Sequence, residues 1–147
     1  METWKTIDKS GWPNTGAWNQ EPDKAQWIDD VTGLDCLIVR GPLGALCGYV
    51  GVPPKHKYFQ SDYDEVLVDV HGGLTFSDLC QPVEDESHGI CHGGDVANEK
   101  VWWLGFDCSH AFDIAPAYQG GMVFTESQYR DFDYVKKEVE SLAKQIN

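Results

Sequence analysis

Residues 24–53, KAQWIDDVTGLDCLIVRGPLGALCGYVGVP, carry the clearest indication of the fold. They contain three short apolar runs, each bounded by glycine or proline. The connections VTG (31–33) and PLG (42–44) have the composition of tight turns. Short apolar runs joined in this way are typical of antiparallel strands. We therefore expect three consecutive antiparallel strands in this stretch.

Further elements are expected along the rest of the chain. VWWLGFDC (101–108) is a bulky, nearly continuous apolar run, which predicts a buried central strand. In VLVDVHGG (66–73), three valines alternate with other residues, which predicts another strand. A helix is predicted over 126–146, with Thr125 and Gln128 as a capping box. Its apolar stripe, at steps of three and four, consists of Phe132, Val135, Val139, Leu142 and Ile146.

These elements predict one α+β domain over residues 1–147, with a mostly antiparallel sheet and the C-terminal amphipathic helix packed on it. Residues 1–20 show neither helical nor strand periodicity, yet they contain Trp4, Trp12 and Trp18. Because three indole rings are rarely left in water, we expect an extended, aromatic-rich arm that lies over the domain.

The charge of the chain argues against several classes of partner. Eleven basic and 24 acidic residues give a formal net charge of −13, which opposes binding to a nucleic-acid backbone or an anionic membrane. No apolar stretch approaches the roughly 20 residues of a membrane span, and the first residues lack the apolar core of a signal peptide. Five cysteines without a secretion signal favour free thiols in a reducing compartment. We therefore predict a cytoplasmic protein.

The first candidate for a site is DVHGG (69–73). In a strand, Asp69 and His71 would share one face. The adjacent Gly72 and Gly73 would allow a ligand or another backbone to approach closely, or the chain to bend sharply. The alternative is a bulge beside a structural histidine whose hydrogen bonds are satisfied.

The second candidate is FDCSHAFD (106–113), which places Asp107, His110 and Asp113 directly after the bulkiest predicted strand. A half-buried carboxylate beside a histidine can tune the histidine as a base. The alternative is a turn in which Asp107 and Ser109 hydrogen-bond to the local backbone. We favour a site because both polar segments follow predicted strands.

Aromatic rings and one arginine add groups that could bind a ligand. Trp102 and Trp103 would point to opposite faces of one strand, and Trp103 is the candidate to face a cavity. Arg40 lies within a predicted strand and is a candidate to pair with a carboxylate or phosphate. Planar rings beside a few polar groups are what a nucleobase pocket requires. The alternative is that these rings only pack the core and the arm.

We predict no metal and no cofactor. The alternative is a structural zinc, because the chain contains several ligands of the type that zinc prefers. No CxxC or HExxH spacing orders them into a known site. These ligands are His71, Cys80, Cys91, His92, Cys108 and His110.

The strings EPDKAQW, CLIVRG, LCGYVGV, VDVHGGLTFS, ICH and VWWLGFDCSH occur in this order. Together with YRDFDYV near the C-terminus, they resemble a family of small proteins encoded in phage genomes and prophages. The likeness extends over nearly the whole chain, although the loop after ICH is shorter here than in that family. The resemblance implies a viral accessory protein in a bacterial cytoplasm and assigns no reaction, ligand or site residue.

Three functions remain open. The first is an anti-defence protein that sequesters a small nucleotide-derived signal, with a pocket that a homo-oligomer could complete. The second is a small phosphodiester hydrolase with His71 and His110 as acid and base, oriented by Asp69, Asp107 or Asp113. The third is an acidic protein-binding inhibitor or DNA mimic, which the net charge alone favours.

Overall fold

The computed structural model describes residues 1–79, 89–90, 101–118 and 126–147. Within these ranges, six strands form one sheet in the order β1-β2-β3-β4-β6-β5, and all neighbouring strands are antiparallel. The strands are β1 (Glu2–Trp4), β2 (Lys24–Ile28), β3 (Asp35–Arg40), β4 (Leu46–Val52), β5 (Phe76–Leu79) and β6 (Trp102–Asp107). One α-helix, α1 (Phe132–Ile146), packs on this sheet against β3 and β4. The predicted α+β fold is therefore confirmed.

The three strands predicted at residues 24–53 are confirmed as β2, β3 and β4. The predicted central strand is β6, which lies between β4 and β5. Successive residues of β6 face opposite sides of the sheet: Leu104 and Phe106 join the core beneath α1, whereas Trp103 joins a second buried cluster with Leu37 and Tyr49. Both faces of the sheet therefore carry buried apolar side chains.

Helix α1 lies close to the sheet because β4 has glycine at position 48. A Cβ atom at Gly48 would lie 2.6 Å from Cγ2 of Val139, which is closer than van der Waals contact allows. Val135, Val139, Leu142 and Ile146 of the predicted apolar stripe are fully buried. No helix in the described ranges has the length and apolar character needed to cross a membrane.

The prediction was wrong about where this helix begins. Its N-cap is Asp131, whose carboxylate accepts a hydrogen bond from Tyr134 N at 2.8 Å. Residues 126–131 are not helical, and Gln128 instead forms a parallel bridge with Asp113. Thr125, the other half of the predicted capping box, lies outside the described residues. The spacing of apolar residues located the buried stripe correctly, but it did not show at which residue the helix begins.

The strand predicted from the alternating valines was also wrong. Residues 66–70 belong to no strand of the described sheet, although burial alternates as expected. Val66 and Val70 are buried, whereas Leu67 and Asp69 are exposed. The backbone here is extended beside α1 and bonds to side chains of the helix rather than to another strand.

The N-terminal arm is more ordered than an extended arm. It begins with β1, which pairs with β2, and it ends in a short 3-10 helix over Ala17–Asn19 that buries Trp18. Between these elements, the carboxylate of Asp23 accepts hydrogen bonds from Thr6 N and Ile7 N, both at 2.9 Å. The arm therefore lies against the domain, as predicted, but through defined secondary structure.

Candidate functional site

The segment that carries His71 is held in place by helix α1. The side-chain amide of Gln145 accepts from Asp69 N at 2.7 Å and donates to Asp69 O at 2.8 Å. Two helical turns before Gln145, the Glu138 carboxylate accepts a hydrogen bond from His71 N at 2.8 Å. These bonds satisfy backbone groups that would otherwise need a neighbouring strand. They fix the segment in register with the helix and direct the His71 ring towards Asp113.

The paired glycines follow directly and have a specific steric role. Gly72 has φ +68 and Gly73 has φ +77, a left-handed conformation that strains other residues. A Cβ atom at Gly72 would lie 2.1 Å from Nε2 of His110. The group that approaches Gly72 closely is therefore the imidazole ring of His110, a side chain of the protein rather than the ligand or second backbone considered from the sequence.

His71 uses both of its ring nitrogens within the protein. Its Nε2 lies 2.7 Å from Asp113 Oδ2, and its Nδ1 lies 2.9 Å from the hydroxyl of Tyr134. Burial and the neighbouring Glu138 raise the pKa of Tyr134, so its hydroxyl is protonated and can donate. With a proton on Nε2, His71 donates to Asp113, and its Nδ1 accepts from the Tyr134 hydroxyl. Neither nitrogen is left to exchange a proton with a ligand.

Asp113 is the hub of the cluster. Its side chain is 1% exposed and accepts from His71, from Arg130 Nε at 3.0 Å and from His110 N at 3.1 Å. Burial alone would raise the pKa of Asp113, but these hydrogen bonds outweigh it, so the pKa lies below its usual value. Asp113 is therefore an ionised, buried carboxylate that joins three segments of the chain.

His110 lies beside His71 and differs from it in one respect. The two ring centroids are 5.8 Å apart, with an angle of 61° between the rings. Nε2 of His110 is inaccessible to solvent, lies 3.4 Å from Asp107 Oδ1 and makes no hydrogen bond within the described part of the chain. The side chain as a whole is 38% exposed. Nδ1 is the accessible nitrogen, and it is therefore the atom through which His110 can meet a ligand.

Asp107 is held behind His110 by its own hydrogen bonds. Oδ1 accepts from Ser109 N and Ser109 Oγ, and Oδ2 accepts from Thr75 Oγ1 at 3.2 Å. Burial tends to raise the pKa of Asp107, but the bonds from Ser109 and the nearby imidazole lower it below the usual value. The local turn predicted as the alternative is thus present, and the same carboxylate also faces His110.

A cavity of about 580 Å³ opens beside His110. Its wall combines part of the N-terminal arm with the segment that follows β6. The volume falls within the roughly 300–1,000 Å³ that is usual for small-molecule sites. The lining includes two aromatic rings and several polar groups: Asn14, Trp18, Ser109, His110, Asp113 and Tyr118.

Three residues predicted for the site lie elsewhere. Asp69 is exposed and contacts α1 through its backbone. Trp103 is fully buried in the apolar cluster on the other face of the sheet. Arg40 is buried, and its five N–H groups bond to the side chains of Asp23, Glu21 and Tyr129 and to two carbonyls, those of Pro22 and Gly44. None of these three lines the cavity beside His110.

Sequence reasoning missed Arg130, Tyr134 and Glu138, which complete the cluster. Tyr134 and Glu138 are four residues apart, which places them on one side of α1 and was a usable signal, whereas Arg130 precedes the helix. The sequence predicts that α1 packs on the sheet; in the structure, Tyr134 and Glu138 of the helix also bind the His71 segment. The guanidinium of Arg130 also lies 5.1 Å over the Tyr134 ring.

Among the described residues of this cluster, no three metal-ligand atoms lie close enough to share one ion. Burial raises the pKa of the Cys108 thiol, so this thiol stays protonated. In the parts of the chain that the structure describes, three ligand atoms lie within reach of one ion only at the exposed Asp62, Asp64 and Glu65. The other cysteines and the histidine considered for zinc, Cys80, Cys91 and His92, lie outside the described residues.

Comparison with models of protein families, with curated proteins and with solved structures finds no match to this chain. The function must therefore be argued from the cluster and the cavity themselves.

Proposed function

We propose that the protein binds a small nucleotide-derived molecule in the cavity beside His110 and sequesters it without turnover. The observation that carries the proposal is the combination of aromatic rings and polar groups in one cavity wall. Tyr118, whose side chain is half exposed, offers a planar surface on which a base can stack, the edge of the buried Trp18 contributes to the wall, and His110 Nδ1 offers a hydrogen-bonding atom. The volume of about 580 Å³ is sufficient for a ligand of this size.

The state of His71 supports binding over catalysis. A general acid and base pair needs two groups that can exchange protons with the substrate. His71 is committed to Asp113 and Tyr134 through both ring nitrogens. Of the two histidines, only His110 has a ring nitrogen that can exchange a proton with a substrate. The two rings therefore cannot act together as general acid and general base.

The resemblance to phage proteins supports a biological setting for this capture. We propose a phage accessory protein that acts in the cytoplasm of the infected bacterium and removes a host immune signal. Sequestration is stoichiometric: each protein molecule binds one or a few signal molecules. It leaves the signal chemically intact.

The test uses mass spectrometry on two fractions. Purified protein is incubated with cyclic nucleotides and with nucleotides of the ADP-ribose type, and then filtered. We expect depletion of one compound from the filtrate and its intact recovery after heat denaturation. Unchanged filtrates for every compound would refute the proposal.

Paired variants locate the binding. Tyr118→Ala removes an exposed ring from the cavity wall, and Tyr63→Ala removes a comparably exposed ring elsewhere. We expect Tyr118→Ala to weaken capture about tenfold, in line with the roughly 1–3 kcal/mol of one stacked base. Tyr63→Ala should leave capture unchanged. Equal effects of the two variants would place the ligand outside this cavity.

A second candidate function is hydrolysis with His110 as a single general base. The observation that favours it is the ionised Asp107 behind Nε2, which would orient the ring with Nδ1 facing the cavity. This candidate predicts new masses in the filtrate that disappear in His110→Gln. Intact recovery of the ligand by both proteins would instead favour sequestration.

A further inference from the structure

We infer that the cavity recognises the uncharged base and ribose part of its ligand and disfavours phosphate. This inference rests on the proposed function and narrows it to a class of ligand. A nucleoside would then bind more tightly than its own monophosphate, and any phosphate on the physiological ligand would remain outside the cavity.

Both arginines of the chain are committed to carboxylates of the protein. Arg40 directs all five N–H groups to internal acceptors and has no exposed side-chain surface. Arg130 donates from Nε to Asp113 and from Nη1 to Gln128 at 3.2 Å. Phosphate is usually bound by the forked donors of arginine or by lysine. Arg40 is therefore unavailable for such a site, and Arg130, which is not part of the described cavity wall, already pairs with Asp113.

The cavity wall also contains no lysine among the residues that the structure describes. The charged group in the described wall is Asp113, and Asp107 lies behind His110. Although Arg130 pairs with Asp113, the described wall itself offers a phosphate no cation, and the chain around it has a formal net charge of −13.

A phosphate brought to this wall would meet repulsion that salt can screen. Two like charges a few ångströms apart near a protein surface repel enough to change affinity at least about tenfold. The repulsion falls as ionic strength rises. A genuine phosphate site behaves in the opposite way, because salt weakens attraction between a phosphate and a cation. The salt dependence of binding therefore shows whether electrostatic repulsion causes the preference for the nucleoside over the monophosphate.

The experiment compares four nucleosides with their monophosphates by isothermal titration calorimetry. The probes are adenosine, guanosine, cytidine and uridine, each at low and high sodium chloride. We expect the best nucleoside to bind at least about tenfold more tightly than its monophosphate, and the monophosphate to gain affinity as salt rises. A monophosphate that binds more tightly and loses affinity with salt would overturn the inference while the proposed function stands. Binding of none of the eight compounds would overturn the inference, whereas the proposed function falls only if the filtration experiment also shows no capture.

Two matched variants test the place of the effect. Thr15→Lys adds a cation to the cavity wall, and Thr3→Lys makes the same change at an exposed position of β1. We expect Thr15→Lys to raise the affinity for the monophosphate several-fold and to leave the nucleoside nearly unchanged. Thr3→Lys should leave the ratio of the two affinities, monophosphate to nucleoside, nearly unchanged. Identical ratios for the two variants would overturn the assignment to this cavity.

Discussion

His110 occupies space that only glycine at position 72 can leave. Gly72 and Gly73 are adjacent and have nearly the same backbone conformation, with φ +68 and φ +77. A Cβ atom at Gly72 would collide with the His110 ring, whereas one at Gly73 would meet nothing within 4 Å. The pair therefore separates the cost of backbone strain from the cost of displacing His110.

We predict that Gly73→Ala lowers the free energy of unfolding by about 1 kcal/mol, since alanine is strained in the left-handed region. Gly72→Ala should lower it by about 2–4 kcal/mol, because overpacking adds to the same strain. Urea unfolding monitored by circular dichroism measures both values. The double variant Gly72→Ala/His110→Ala should regain most of the difference. Equal losses for the two single variants would show that the ring does not depend on Gly72.

At this scale the sequence was informative about which residues meet. It singled out the glycines, both histidines and the carboxylates that follow β6, and the structure brings His71, His110 and Asp113 together. It could not reveal that His71 would be bonded at both nitrogens. That outcome depends on Tyr134, which comes from an element distant in the sequence.

Elements of the chain are joined here by side chains as much as by strand pairing. The segment 66–70 was predicted as a strand from its alternating burial, and the burial is indeed alternating. Periodicity reports which face is buried, but it does not report the hydrogen-bond partner. In this case Gln145 and Glu138 of α1 supply partners that a neighbouring strand would have supplied. The same limit explains the helix start, because Asp131 rather than Thr125 caps α1.

Asp113 links the segment after β6, the His71 segment and Arg130 before α1, so its ionisation should matter for stability. Its pKa is lowered in the folded protein from an ordinary value of 3.8. A lowered folded pKa gives stability that is fully present above the unfolded value and is lost as pH falls towards the folded value. The loss should therefore begin near pH 3.8 and continue below it.

We predict that Asp113→Asn is less stable than the wild type at neutral pH and that the difference shrinks as pH falls below about 4. Free energies of unfolding measured across this range give the comparison. Asp23 and Asp107, whose pKa values are also lowered, remain in both proteins and cancel in the difference. The exposed Asp30→Asn is the control and should show a difference that does not change with pH in this way. A constant gap for Asp113→Asn would contradict the role given to its charge.

A second polar network, centred on Arg40, joins distant parts of the molecule. Asp23 binds Arg40, Lys9 and the backbone of the arm, while Glu21 accepts from the Tyr129 hydroxyl and from Phe132 N at the start of α1. One buried guanidinium thus connects the arm, β3 and the approach to the helix. The sequence marked Arg40 as exceptional within a strand, but it could not distinguish an internal partner from an external phosphate. The acceptors lie up to 89 positions away along the chain.

We predict that Arg40→Met lowers the free energy of unfolding by about 3–5 kcal/mol, because it removes the buried cation of Glu21 and leaves Asp23 with Lys9 alone. Lys136→Met is the matched control, since it breaks an ion pair with Glu140 that is about one-third exposed, and such pairs contribute about 0–1 kcal/mol. Urea unfolding gives both values, and limited proteolysis reports whether the arm is released.

Because Asn14 and Trp18 of the arm line the cavity, Arg40→Met should also weaken ligand capture. A direct contact between Arg40 and phosphate would instead weaken capture while stability and protection of the arm stay unchanged. Loss of stability, protection and capture together would identify Arg40 as the residue that holds the cavity wall in place.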